Sequence, residues 1–183
     1  MPALHIYPQA DLPAIYKWQA IAFMRCEWSD IFTGDNLYMS ETYPPENQPI
    51  HFVLSENATL ISYAAIMEVR LHHFGNTYWC HGFGNMLTFP PFRRQGYGGQ
   101  VLQAATQYIK ASPVDVAALF CDPTLEKFYS ACGWQRADSP THLGQPDRYQ
   151  EYAPLRMMLF VSEKGRANQK DFETQPMYLA WPW

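Results

Sequence analysis

Phe92-Arg-Arg-Gln-Gly-Tyr-Gly-Gly99 is the most informative stretch of the chain. Before it lies an apolar run, Met86-Leu-Thr-Phe89, which reads as the end of a strand. After it comes an amphipathic run, with Val101, Leu102, Ala105, Tyr108 and Ile109 on one helical side and Pro113 as its stop. A glycine-rich turn between a strand and a helix leaves the first N–H groups of the helix without intrahelical acceptors, at the positive end of the helix dipole. Such a turn suits a phosphate or pyrophosphate, and Arg93 and Arg94 add positive charge beside it. It is not a GxxxxGK[ST] loop, because the Lys-Ser/Thr pair is missing. It is not a dinucleotide fingerprint either, because Gly96-Tyr-Gly98 is followed by Gly99-Gln-Val and the spacing fails.

Upstream, Ile50 to Leu54, Thr59 to Leu71 and Thr77 to Phe89 read as strands joined by short turns at Glu56-Asn57 and at His72 to Asn76. Three such strands form an antiparallel meander. Gly82 and Gly84 interrupt the third, which signals a bulge or a close backbone approach. Nearer the N-terminus, His5 to Tyr7 reads as a short strand. Asp11-Leu-Pro13 reads as a capped helix start, and Ile15, Trp18, Ala22 and Cys26 recur at helical spacing. Ser29 to Asn47 reads as a long loop, with Phe32, Tyr38 and Tyr43 as candidate substrate contacts. His72 and His73 fall in a turn and are expected to be exposed.

Downstream, Val114 to Cys121 reads as a buried strand. The helix between it and the meander implies a parallel pair. Asp122-Pro-Thr opens a second helix, with Leu125, Phe128, Tyr129 and Cys132 on one face and Gly133 as its stop. Trp134 to Ala137 is a brief strand, Asp138 to Tyr152 reads as loop, and Leu155 to Ser162 is a strand. Lys164 to Gln175 is polar. Met177 to Trp183 is aromatic and is expected to dock on the domain, line a cleft or cross to a partner.

A length of 183 residues fits one domain with a substantial core. The formal charge of −4 and the absence of a basic run argue against nucleic acid as a partner. No apolar run is long enough to span a membrane, and no basic-then-apolar leader opens the chain, so a soluble cytoplasmic protein is expected. Cys26, Cys80, Cys121 and Cys132 form no CxxC pair and read as free, buried thiols. His and Cys residues form no metal-ligand cluster, and no metal is expected.

The run Arg93-Arg-Gln-Gly96-Tyr-Gly98, with Pro90 before it and a helix after it, resembles the acyl-CoA pyrophosphate loop of the GNAT acetyltransferase superfamily. Phe128-Tyr-Ser-Ala-Cys-Gly-Trp134 resembles that family's second signature, with Asp122 where asparagine is common. The resemblance is specific over Met86 to Trp134 and is silent after Tyr152. It implies an α/β fold with a mixed, mostly antiparallel central sheet flanked by helices. A splayed parallel pair of strands would form the cofactor cleft. It also implies one acyl-CoA N-acyltransferase domain over residues 1–183, with 163–183 as a C-terminal extension.

What the resemblance implies for function is acetyl transfer from acetyl-CoA, the co-substrate, to the amine of a small molecule or peptide, by direct attack in a ternary complex. Met86, Leu87 and Thr88 would hold the pantetheine arm through their strand backbone. The N–H groups of Arg94, Gln95, Gly96, Tyr97, Gly98 and Gly99 would cradle the pyrophosphate, with Arg93 and Asp122 also at the cofactor. Arg93 has a second reading as the holder of the loop, and Asp122 as a simple helix cap. Tyr129 would protonate the leaving thiolate, and His81 or Glu68 would take the amine proton, directly or through water. A homodimer is expected, since dimers are common in the superfamily. A longer acyl donor, a hydroxyl acceptor and a non-catalytic acyl-CoA-binding domain stay open at this level, because bulk near the thioester is not legible in the sequence.

Overall fold

The computed structural model describes residues 1–183 and is a mixed α/β structure, with a mostly antiparallel sheet flanked by helices. In chain order the elements are β1 (Ala3–Pro8), α1 (Ala14–Glu27), β2 (Ile50–Glu56), β3 (Thr59–His73) and β4 (Asn76–Thr88). There follow α2 (Tyr97–Ala111), β5 (Val116–Cys121), α3 (Glu126–Ser130), β6 (Gln135–Ala137), β7 (Thr141–Gln145) and β8 (Arg148–Glu151). The chain closes with β9 (Leu155–Phe160), α4 (Glu163–Ala167), α5 (Gln169–Thr174) and β10 (Met177–Leu179). Neighbouring strands follow the order β1-β2-β3-β4-β5-β9-β6, with a separate small sheet β10-β7-β8. Two compact units divide the chain, Met1–Met67 with Asn85–Ala105, and Glu68–Gly84 with Thr106–Trp183.

In the first unit, β1 and β2 pair antiparallel from Ala3↔Ser55 to Pro8↔Ile50, and β2 turns into β3 through Asn57 and Ala58. Both turn residues have positive φ, +48° and +64°, the conformation that matches the twist of a two-residue hairpin. Phe52, Val53, Leu54, Leu60, Ile61 and the run Tyr63 to Met67 are almost wholly buried. Burial on both faces explains why these strands read as continuous apolar runs. One polar chain crosses this core. The His51 ring lies 2.7 Å from the Tyr63 hydroxyl and 2.6 Å from the Gln9 amide oxygen, and the Tyr63 and Thr42 hydroxyls lie 2.9 Å apart. Burial pushes the His51 pKa down to about 4, against a weaker upward pull from Glu41.

The start of α1 departs from expectation. Gln9–Asp11 form a 3-10 turn, Pro13 takes the N-cap position, and Asp11 caps nothing. The buried face of α1 is Ala20, Ile21 and Met24, while Ile15 and Trp18 are about half exposed. Lys17 stacks on the Trp18 ring at 5.3 Å and pairs with Glu41 at 2.6 Å, so the tryptophan is covered by a cation at the surface. Cys26 on the same helix is exposed, not buried. The long loop holds three 3-10 turns. Phe32 and Tyr43 are buried there, and Tyr38 is exposed.

In the second unit, β4 and β5 pair in parallel, and β9 pairs antiparallel with both β5 and β6. Residues 138–152 are not a loop. They form the β7–β8 hairpin, and β10 lies parallel to β7 from Met177↔Thr141 to Leu179↔Leu143. Arg156 on β9 is 2% exposed and ties this region together. It donates to the Thr141 hydroxyl at 2.9 Å, the Ser139 hydroxyl at 2.5 Å and the Phe172 carbonyl at 2.8 Å. His73 ends β3 instead of standing in a turn. It is buried and stacks on Phe172 with ring centroids 4.2 Å apart. The turn itself is Phe74-Gly75, both at positive φ.

Candidate active site

The end of β4, in the first unit, is not regular strand. Asn85 stands at φ +53°, in the left-handed region that asparagine tolerates, and its side-chain amide donates to the Thr42 carbonyl at 3.2 Å. Ser62 of β3 donates to the Leu87 carbonyl at 2.8 Å, and the Thr88 hydroxyl lies 2.8 Å from the same serine oxygen. Leu87 is buried, while Met86 and Thr88 are half-buried. Phe89 then donates its N–H to the Ile61 carbonyl at 2.9 Å and stacks on Phe23 at 4.4 Å.

Arg93 fixes the turn that follows. Its Nε donates to the Thr88 carbonyl at 2.8 Å, and one terminal nitrogen reaches both Glu27 carboxylate oxygens at 2.7 and 2.8 Å. The Gln95 amide donates back to the Pro91 carbonyl at 3.1 Å. Arg94 turns at φ +62° and Gly96 at φ +81°, and the Gly96 carbonyl accepts the first helical bond, from Gln100 N–H at 3.2 Å. Glycine is required at position 96 by its φ. Space is open around Gly96 and Gly99, where an added Cβ would meet nothing within 4 Å. Tyr97 sets its ring edge-on to Phe92, and the first turn of α2 holds no acidic residue. Helix-start N–H groups, open space and a first helical turn without an acidic residue make this turn a fit for a phosphate group. Arg94 is exposed beside it. The turn residues named from the sequence, Arg93 to Gly99, therefore stand together, and Arg93 acts as the brace.

The second unit carries the remaining candidates. The β4–β5 pairing runs through Cys80↔Val116, His81↔Ala117 and Gly82↔Ala118, and beyond that pair β4 continues to Thr88 and β5 to Cys121. The two strands part after Gly82 and Ala118. His81, one residue before the parting, is buried, and its Nδ1 has no hydrogen-bond partner. Burial alone pushes its pKa down to about 4, so the ring is neutral near pH 7. Glu68 is half-buried on β3. Tyr129 on α3 is 5% exposed and sets its ring edge-on to Phe83, with centroids 6.2 Å apart. Burial, followed by the nearby Cys121, pushes the tyrosine pKa well above its ordinary value, so the hydroxyl keeps its proton.

Asp122 caps the turn before α3. Its carboxylate accepts from the Thr124 N–H at 2.8 Å and the Thr124 hydroxyl at 2.6 Å, and these bonds lower its pKa. That role accounts for the residue fully. Gly133 ends the segment at φ +92°, and Trp134 buries its indole and donates to the Thr106 hydroxyl at 3.0 Å. Sequence reasoning did not place Glu27 at the turn or Trp183 at the parted strands. Only the glycine at position 82 signalled the second.

Comparison with known proteins fits this geometry. The model of the acetyltransferase (GNAT) domain matches residues 7–137. No curated protein matches the chain in sequence. Among solved structures, ElaA from Escherichia coli shares 13% identity at a TM-score of 0.60, over 85% of this chain and 98% of its own. An acyl-CoA N-acyltransferase from Pseudomonas aeruginosa shares 14% at a TM-score of 0.58, over 86% and 99%. A GNAT-family acetyltransferase from Staphylococcus aureus shares 14% at 0.56, over 87% of this chain and the whole of its own. At these identities the structures speak for the fold alone, whereas the domain match covers well over half the chain. With the strand, glycine turn and helix lying inside the matched span, the chain belongs to the GNAT acetyltransferase family.

Proposed function

We propose that this protein transfers an acetyl group from acetyl-CoA to the amine of a small molecule or peptide, by direct attack in a ternary complex. The observation that carries the reading is the continuous run of β4 past its parting from β5 into the Gly96 turn and α2. Residues 1–183 act as one acyl-CoA N-acyltransferase domain with 163–183 as its extension. The protein works in the cytoplasm, as a homodimer, without nucleic acid, metal or membrane as partner. No helix is long and apolar enough to cross a membrane.

Acetyl-CoA supplies the thioester carbonyl carbon that the amine attacks. In this reading the N–H groups of Arg94 to Gly99 donate to the pyrophosphate oxygens, and Arg94 adds charge. The backbone of Met86, Leu87 and Thr88 orients the pantetheine arm along β4. A backbone N–H of the same strand donates to the carbonyl oxygen as it gains charge. Glu68 or His81 accepts the proton from the amine nitrogen, directly or through water, and burial makes His81 a weak base by lowering its pKa to about 4. The Tyr129 hydroxyl, held protonated by burial, gives its proton to the departing sulfur.

Isothermal titration with acetyl-CoA tests the reading. Binding in the micromolar range is expected, together with its loss in Gly98→Glu, whose carboxylate would sit in the phosphate position. Lack of binding by the folded wild-type chain would overturn it. Binding without turnover on any amine, unchanged by Tyr129→Phe, would instead leave a non-catalytic acyl-CoA-binding domain.

A further inference from the structure

The polar chain of the first unit closes into a circuit, and chemistry fixes the direction of every bond in it. Lys17 pairs with Glu41 at 2.6 Å, and a carboxylate held by an ammonium group only accepts. The Gln9 amide therefore turns its NH2 to Glu41 and its oxygen to His51. His51 Nε2 faces that oxygen at 2.6 Å and carries the ring proton. Burial keeps the ring neutral, so Nδ1 is bare and takes the single proton of the Tyr63 hydroxyl, 2.7 Å away. Tyr63 has no second proton, so the Thr42 hydroxyl donates to it across 2.9 Å. Glu41 and Thr42 are neighbours in the chain, and their peptide bond closes the ring. His51, Tyr63 and Thr42 are all buried. No member can reverse without stranding the next. The circuit fixes a segment that has no helix or strand of its own, between the 3-10 turns Gly34–Tyr38 and Pro45–Asn47. The Thr42 carbonyl in that segment accepts from the Asn85 amide at 3.2 Å, and Asn85 stands at φ +53°.

We propose that Asn85 is a positioning residue for the arm of acyl-CoA, and that the circuit Thr42–Tyr63–His51–Gln9–Glu41 fixes the carbonyl through which it acts. The inference rests on the acyl-CoA reading of the preceding subsection. All of these residues belong to one compact unit, together with Met86, Leu87, Thr88 and the Arg93–Gly99 turn. A left-handed φ carries a cost even for asparagine, so Asn85 keeps it only while an acceptor stands in the right place. Met86, Leu87 and Thr88, which hold the pantetheine in that reading, begin at the next residue. Their far end is fixed separately. Ser62 donates to the Leu87 carbonyl and Arg93 to the Thr88 carbonyl. Asn85 sets the near end, and a relaxed φ there would turn the backbone groups that face the arm. The pyrophosphate turn lies beyond Thr88 under its own brace, the Arg93–Glu27 pair, and does not depend on Asn85. Loss of the Asn85 bond should therefore weaken the grip on the arm and spare the grip on the phosphates.

The test compares acetyl-CoA with ADP, which carries a pyrophosphate and no arm, by NMR titration of the wild type, Asn85→Gly, Asn85→Asp, Tyr63→Phe and the double variant Asn85→Gly/Tyr63→Phe. Glycine and aspartate both tolerate the left-handed φ, but neither side chain donates to the Thr42 carbonyl. Each is expected to bind acetyl-CoA about 5-fold more weakly than the wild type, the worth of one hydrogen bond, with ADP unchanged within about 2-fold. Tyr63→Phe should shift acetyl-CoA in the same direction. The double variant should be no weaker than Asn85→Gly, because Tyr63 acts through a bond already gone. Unchanged acetyl-CoA binding in both Asn85 variants overturns the proposal. A parallel loss of ADP binding also overturns it, because that marks general loosening and not a role at the arm. Additive losses in the double variant would remove the circuit from the account of Asn85. One arm needs no variant to fold: the 15N spectrum of the wild type should show the neutral His51 ring with its proton on Nε2, and a proton on Nδ1 overturns the circuit. Failure of the folded wild type to bind either ligand overturns the acyl-CoA reading itself.

Discussion

Acidification from pH 7.5 to 5.0 is expected to destabilise the protein through its buried histidines, and His81 permits the effect to be worked through. In the unfolded chain its imidazole titrates at the ordinary 6.5, whereas in the folded chain burial holds it at about 4. Between those values the unfolded state binds a proton that the folded state refuses, so stability is complete above pH 6.5 and falls as pH drops. At pH 5.0 nearly every unfolded chain carries the proton and few folded ones do, a loss of about 2 kcal/mol. Below pH 4 the folded ring is protonated too, and the loss levels off near 3 kcal/mol. His51 has the same folded value for the same leading cause and adds about 2 kcal/mol at pH 5.0. His73 is shifted in the same direction, again chiefly by burial. A chain of this size loses about 2–4 °C of Tm per kcal/mol, so the wild type should melt roughly 10 °C lower at pH 5.0 than at pH 7.5. His81→Met replaces the ring with a flexible apolar filler and should recover close to half of that fall. Thermal melts followed by circular dichroism at the two pH values give the comparison. A Tm that does not move in the wild type, or a His81→Met variant that falls as far as the wild type, would refute a neutral buried imidazole at position 81.

Three further outcomes follow from particular contacts. Arg93→Ala should cost about 1 kcal/mol of stability or less, since its pair with Glu27 is partly exposed, yet raise the acetyl-CoA Kd several-fold by loosening the turn. Glu27→Gln should weaken binding in the same direction by titration. Stronger binding in that variant would mean that Arg93, once released, meets the phosphates itself. Tyr129→Phe should lower kcat by about 100-fold while leaving the acetyl-CoA Kd within 2-fold. An unchanged kcat in steady-state assays would remove the tyrosine from proton transfer. Gly165→Ala would drive a Cβ into the Asp115 carbonyl oxygen, which already accepts from the N–H groups of Val161 and Ser162. A loss of about 3 kcal/mol is expected in urea unfolding, and a loss below 1 kcal/mol would mean that the backbone relaxes easily there.

The parts legible in the sequence are those whose signal is local. The β2–β3–β4 meander was readable because Asn57-Ala58 and Phe74-Gly75 sit between long apolar runs and take the positive φ that tight turns need. The face of α2 and the Gly133 stop were readable for similar reasons. What failed depended on distant partners. The β7–β8 hairpin is built from His142, Tyr149 and polar neighbours, and its aromatic contacts close only when Tyr178 of β10 arrives from far along the chain. No alternation over five residues announces that. In α1, Ile15 and Trp18 fit an apolar stripe, but tertiary packing chose Ala20, Ile21 and Met24. His73 looked like part of a turn because two histidines precede Phe74-Gly75. Its place inside was decided by Phe172.

The glycines of β4 show how one sequence signal can divide into two physical causes. A glycine inside a strand marks either a bulge or a close approach, and this strand has both, at different residues. The left-handed kink falls on Asn85, whose amide bond to the Thr42 carbonyl offsets part of the cost of φ +53°. The close approach falls on Gly82, where the missing Cβ is occupied by an indole. The kink belongs to the segment that leads into the turn braced by Arg93, and the missing side chain belongs to the segment that packs on Trp183. A sequence pattern gives the positions of both but assigns neither, because a backbone angle and an absent atom leave the same letter. Only the partner distinguishes them: for Asn85 a carbonyl in the long loop, for Gly82 the ring of Trp183, 101 residues away. The kink and the close approach are thus encoded separately along one strand, one by a side-chain hydrogen bond and the other by a missing atom.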